Sequence, residues 1–268
     1  MLIAVTGSSG LGPVAGVSTA EPAALLRAVR AEPASHVALL APRYATSMAR
    51  EQAHVTIAAE PDIRVSVLPI DHHALTLTLM GTTVLQLEHI AGGWSDPGEA
   101  VQLLKQAAAR SRSLVWYPSV FGLRDPSPAW HHRVHSLLSR HGYITELGPA
   151  ANLEPGLIKP SGRSDATWFA TAEVPKRVQA QPAATAPWVV PIRSDRNAPY
   201  ATKASVELAA LVAPVRRAIT TARCSACSVG RTAAGCAFCG AGPHPGWALT
   251  SAPAERNGKR AMVGGGTR

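Results

Sequence analysis

Short apolar runs and amphipathic stretches alternate along the first two thirds of the chain. "LIAVTG" (2–7), "HVALLAP" (36–42) and "IRVSVLPI" (63–70) are apolar runs bounded by glycine, proline or acidic turn residues. Such runs predict buried strands. Between them, "STAEPAALLRAVRA" (18–31) sets Leu25, Leu26 and Val29 on one stripe behind a Ser18 or Thr19 cap, and "ATSMAREQAHV" (45–55) reads as a second helix. "ALTLTLMGT" (74–82) fits two periods. Leu75, Leu77 and Leu79 alternate as in a strand, but the position between strands favours a helix. "TVLQLEHI" (83–90) is read as a fourth strand. "DPGEAVQLLKQAAARSR" (96–112) is the best-punctuated helix, with Asp96 as cap, Pro97 at the first position, Glu99 three residues after the cap and basic residues at the close. "SLVWYPSV" (113–120) predicts a fifth strand, "SPAWHHRVHSLLSRHG" (127–142) a helix ending at Gly142, and "YITELG" (143–148) and "ATWFATAEV" (166–174) closing strands.

This alternation predicts an α/β domain over residues 1–175, Rossmann-like, with a mainly parallel, doubly wound sheet. Ligands of such folds bind beyond the carboxyl ends of the strands, which directs attention to the loops after residues 6, 42, 70, 91 and 118. Residues 176–200 are proline-rich and aperiodic and read as a linker. Residues 201–223 read as a basic helical segment broken at Pro214. Residues 224–247 read as a zinc ribbon, and 248–268 as a disordered basic tail.

Composition supports a core: 46% of residues are hydrophobic and only 5% aromatic, which suits small-residue α/β packing better than an aromatic-rich sandwich. Charge changes the picture more. Residues 1–175 hold 13 Lys/Arg against 14 Asp/Glu, whereas 176–268 hold 13 against 3, so the net +9 arises wholly from the last third. A basic segment on a neutral domain points to a polyanionic partner, usually nucleic acid and sometimes an anionic membrane, the alternative being a solvated tail. The N-terminus lacks the pattern of a signal peptide, and no apolar window approaches the roughly 18 residues of a membrane span, so the expected location is cytoplasmic.

All four cysteines fall in "CSACSVGRTAAGCAFCG" (224–240). Cys224 and Cys227 form one CxxC pair, Cys236 and Cys239 a second. Two such turns aim four thiolates at one point, a donor set that suits structural zinc; a redox pair and an iron–sulfur cluster are the alternatives. The segment resembles the short zinc ribbons of many bacterial proteins, with Gly240 after the second pair and Ser228 where the first pair would carry glycine. That resemblance implies a structural metal, and a nucleic-acid or protein partner contacted beside Arg216, Arg217, Arg223 and Arg231.

"TGSSGLGPVAG" (6–16) follows the first strand. Gly7, Ser8, Ser9 and Gly10 could present amides and hydroxyls to a phosphate, with Arg43 after the second strand adding charge. The loop resembles the TGxxGxxG turn of short-chain dehydrogenases, without their YxxxK arrangement, and implies a bound nucleotide. Together with "HIAGGWSDPGEA" (89–100) it also resembles CARF-type sensor domains, which implies a ligand site including Gly92 and Gly93; Trp94 and Ser95 stand where that family has Thr and Lys. Asp71, His72 and His73 lie after the third strand and are the acid–base candidates. His131 and His135 share HExxH spacing, but His132 occupies the position of the glutamate base. The first reading is a ligand-sensing or nucleic-acid-associated protein. A nucleotide-dependent oxidoreductase, transferase or hydrolase and a non-catalytic adaptor are its rivals.

Overall fold

The computed structural model describes residues 1–90, 96–124, 126–138, 142–147, 153–155, 166–173, 187–193, 198–214, 222–231 and 235–242. The first sheet contains β1 (Leu2–Thr6), β2 (Gly10–Leu11), β3 (Val14–Val17), β4 (His36–Pro42) and β5 (Arg64–Ile70), in the order β2-β3-β1-β4-β5. β1 runs parallel to β3 and β4, β4 runs parallel to β5, and only β2 is antiparallel. β1 is buried at every position, as a strand covered on both faces must be. On one face Leu25 and Val29 of α1 (Ala24–Ala31) and Ala49 of α2 (Thr46–Ala59) pack on Leu2, Ala4, Val37 and Leu39. On the other, Ile3, Val5, Ala38 and Leu40 meet α3 (Ala74–Ile90) and α4 (Pro97–Arg110).

The second sheet is built differently. It comprises β6 (Arg112–Tyr117), β7 (Tyr143–Glu146), β8 (Leu153–Pro155), β9 (Thr167–Ala170), β10 (Trp188–Val189) and β11 (Val206–Leu211), in the order β10-β9-β11-β6-β7-β8. All its pairings are antiparallel except β10 with β9. The α/β class expected from sequence is therefore correct, but a doubly wound parallel sheet is not what forms: two mixed sheets flank a shared helical layer.

α3 shows why the sequence misleads. It contacts β1 and β4 of one sheet and β11 of the other, so it has no solvent face along its first two turns. Leu75, Thr76, Leu77, Thr78 and Leu79 are all buried, which erases the one-sided stripe that marks a surface helix. Its threonines satisfy themselves by donating to carbonyls one turn back: Thr78 to Ala74, Thr82 to Thr78 and Thr83 to Leu79. The strand expected over 83–90 is the second half of this helix. The helical segment expected over 201–223 instead contains β11, a central strand buried at all six positions. Burial on both faces overrides the helix preference of Glu207, Leu208, Ala209, Ala210 and Leu211. Within the span read as a linker, β10 pairs with β9 and Val190, Ile192, Ala198 and Tyr200 are buried. The tail expected over 248–268 lies outside the described residues. Among the described residues no helix is long and apolar enough to cross a membrane.

Candidate functional site

The glycine-rich segment after β1 is spent on folding. Gly7 donates its amide to Val17 O, Ser9 to Arg193 O, and Gly10 to Ser8 Oγ. Ser8 Oγ lies 2.8 Å from Thr78 Oγ1 of α3, and Ser9 Oγ accepts from the Arg193 amide. Residues 10–17 form β2 and β3, and a Cβ on Gly16 would stand 2.4 Å from Ser8 O. Glycine there serves a close strand crossing, and the amides of Gly7, Ser9 and Gly10 already have acceptors. Gly92 and Gly93 lie outside the described residues. Arg43 Nε is 2.8 Å from Asp71 Oδ1, an ion pair between an exposed arginine and a half-buried aspartate at the carboxyl ends of β4 and β5.

The two histidines after β5 are structural in their contacts. His72 Nε2 is 2.9 Å from Ala108 O and its Nδ1 is 2.9 Å from Ser113 Oγ; burial lowers its pKa. His73 is fully buried at the start of α3. Its Nε2 stands 3.1 Å from Leu114 O and 2.8 Å from Leu208 O, so it carries a hydrogen aimed between β6 and β11. Its Nδ1 lies 3.2 Å from the Thr76 amide and 3.4 Å from Glu207 Oε2. His131 and His135 are exposed on α5 (Trp130–Leu138).

A groove opens at the carboxyl end of β6, where the chain also enters β11. Pro118, Phe121, Gly122, Ala198, Ala201 and Ala204 form most of its wall, with Arg124 and Lys203 as its cations, and its volume is about 780 Å³. That is within the roughly 300–1,000 Å³ of small-molecule sites. Phe121 remains 53% exposed, so the aromatic wall is available to a ligand. Hydrogen bonds from Val120 N to Ser136 Oγ and between Ser136 Oγ and Ser119 Oγ fix the loop. Beneath it Tyr200 stacks edge-on with Tyr44 at 5.8 Å and lies 6.4 Å from the His73 ring. Burial, then the Glu207 charge, raises the Tyr200 pKa and keeps the phenol protonated. The loop after residue 118 is legible in the sequence, but its partner wall at 198–204 is not, because that wall straddles a span read as linker and the start of one read as helix.

The four cysteines converge as their spacing predicts, every Sγ lying within 4.8 Å of the others. Their two turns repeat one geometry. Cys224 N donates to Val229 O and Ser228 N to Cys224 O; Cys236 N donates to Ala241 O and Gly240 N to Cys236 O. Each turn closes with a left-handed residue, Ser228 at φ 60° and Gly240 at φ 75°. Ser228 therefore adopts the conformation usually left to glycine. Replacing it with glycine is expected to raise stability by about 0.5–1 kcal/mol, read as a higher thermal midpoint; a lower midpoint would sink this account of the turn. Cys224 and Cys239 sulfurs are 3.6 Å apart, Cys227 and Cys236 sulfurs 3.5 Å. For Cys224, burial opposes ionisation, but the amides of Ala226 and Cys227 outweigh it and the pKa falls to about 7. Burial pushes the Cys227 and Cys239 thiols up.

No family model and no curated protein matches the chain. Solved structures do match. A DegV family protein from Corynebacterium glutamicum superposes with a TM-score of 0.53 at 11% identity, over 80% of this chain and 98% of its own. A DegV family protein from Eubacterium eligens loaded with heptadecanoic acid gives 0.54 at 10% identity, over 79% and 99%. A stearic acid-binding protein from Eubacterium ventriosum gives 0.52 at 10%, over 79% and 98%. The chain thus shares the DegV fold. These neighbours replace the Rossmann and CARF-type expectations. They also overturn the reading of a sensor of a phosphorylated ligand, or a nucleotide- or nucleic-acid-binding protein: the fold is that of proteins solved with fatty acids, and the amides of Gly7, Ser9 and Gly10 are already bonded.

Proposed function

We propose that the protein binds a long-chain carboxylic acid, with its acyl chain along Phe121, Pro118 and Ala201 and its carboxylate at Lys203 or Arg124. The groove carries this reading: a mostly apolar trough of about 780 Å³ with two cations at its edge matches an amphiphile with one anionic end. The fold supports it, since the neighbours, matched over 98–99% of their own length, include one loaded with heptadecanoic acid and a stearic acid-binding protein. Titration of the full chain with stearic acid is expected to show one saturable site. Lys203→Glu and Arg124→Glu together are expected to weaken it about 10- to 100-fold, the loss of a charge-assisted contact, while leaving the thermal midpoint of the ligand-free protein unchanged. Binding that survives the double variant, or no binding by the parent, would refute the assignment.

The four cysteines are read as holding zinc in a structural role. Four thiolates with no water position left suit a closed tetrahedral ion. Sulfur separations of 3.5 and 3.6 Å are close to the ~3.8 Å edge of a tetrahedron built from ~2.3 Å bonds. They are well beyond a disulfide of about 2.05 Å. Metal analysis of protein purified without added metal tests this, with about one zinc per chain expected.

A further inference from the structure

We propose that the metal centre is a keystone of the first sheet, so that its occupancy sets the stability of β4, β5 and α4 as well as that of its own loops. The proposal rests on the reading that Cys224, Cys227, Cys236 and Cys239 hold a metal. Each turn is fastened to a different part of the sheet layer. Asp96 caps α4 by accepting from Gly98 N at 2.7 Å with Oδ1, and with Oδ2 it accepts from Gly230 N at 2.7 Å. One carboxylate therefore serves both the helix start and the loop between the cysteine pairs. The backbones touch there: a Cβ on Gly98 would lie 2.6 Å from Gly230 O, and one on Gly230 would lie 2.9 Å from Asp96 Cγ.

The second turn is fastened to the strands. Ser66 of β5 donates to Phe238 O, Lys105 of α4 donates to Ala237 O at 3.1 Å, and the Phe238 ring meets His36 of β4 edge-on at 5.4 Å. Val229, Phe238 and three of the cysteines share one apolar cluster with Leu68, Val101 and Leu104. These residues lie against β5, the start of β4 and α4. Among its described residues the covering segment has little regular structure of its own: β12 (Ala222–Arg223) and β13 (Gly230–Arg231) are two residues each. So short a unit has no independent core, and metal binding supplies its folding energy. The face it covers then depends on the same ion.

The test compares the full-length protein as purified with the same protein stripped by a strong zinc chelator under reducing conditions, by hydrogen exchange and thermal unfolding. Expected on stripping is a loss of amide protection of about 10-fold or more in 36–42, 64–70 and 97–105 along with 224–240. The thermal midpoint is expected to fall by ~10 °C or more, and zinc to restore both. Loss of protection confined to 222–242, with the strands and α4 unchanged, overturns the proposal while leaving the metal site standing. Protein that purifies without metal and takes none up removes the metal reading itself. Asp96→Asn keeps an oxygen for Gly98 N and loses the acceptor for Gly230 N. It is expected to retain metal and to shrink the midpoint difference between the two forms; an unchanged difference counts against the coupling.

Discussion

Serine in place of both Cys227 and Cys236 is expected to take the metal content from about one ion per chain to a trace, and to leave a protein that unfolds well below the parent's midpoint. Both residues are buried, Cys227 8% exposed and Cys236 4%, as is Cys224 at 1%, whereas Cys239 is exposed. Serine hydroxyls are poor ligands for a borderline-soft ion, and two remaining thiolates do not close a tetrahedral site. The loss in folding free energy is expected to be several kcal/mol, since apparent binding energies of structural zinc are about 10–16 kcal/mol in small modules. Elemental analysis and thermal unfolding on the same preparation check both halves. A variant that keeps its midpoint would show that the loops are held by their apolar contacts alone.

His73→Ala is expected to destabilise the protein by about 3–5 kcal/mol, measured by urea unfolding. The alanine leaves Leu114 O and Leu208 O without the shared Nε2–H, removes the Nδ1 partner of the Thr76 amide, and opens a void beside Tyr200. Buried groups stripped of partners cost about 1–3 kcal/mol each, and the void adds to that. A purely catalytic histidine would show the opposite pattern, with stability kept. His72→Ala is expected to cost less, because His72 is only partly buried.

How far these features can be read from sequence depends on distance along the chain. α4 is legible because cap, first-turn proline and closing arginine are contiguous, and the structure shows Asp96 accepting from Gly98 N. β1, β4, β5 and β6 are legible because short apolar runs end in turn residues. The cysteine cluster is legible for the same reason: each pair is a local turn. What fails is decided elsewhere in the molecule. β11 is composed of residues that favour helix, and only its place between β9 and β6 makes it a strand. β3 pairs parallel with β1 after a seven-residue excursion that reads as a phosphate loop, because glycines needed for close strand packing look like glycines needed for a ligand. The groove joins residues 118–124 to 198–204, and neither half carries a motif.

The bond between Ser66 and Phe238 closes a loop of 172 residues. On the ribosome, β4 and β5 emerge long before the segment that covers them. At roughly 5–20 residues per second, roughly 10–35 s of translation separate Ser66 from Phe238. For that interval Leu68 and its neighbours lack their final cover, and a nascent chain in this state is exposed to aggregation and to chaperones. On the proposed zinc reading, supply of the ion when residues 224–239 appear sets how long the exposure lasts. Yield of folded protein should accordingly respond to metal availability during synthesis more than to metal added afterwards.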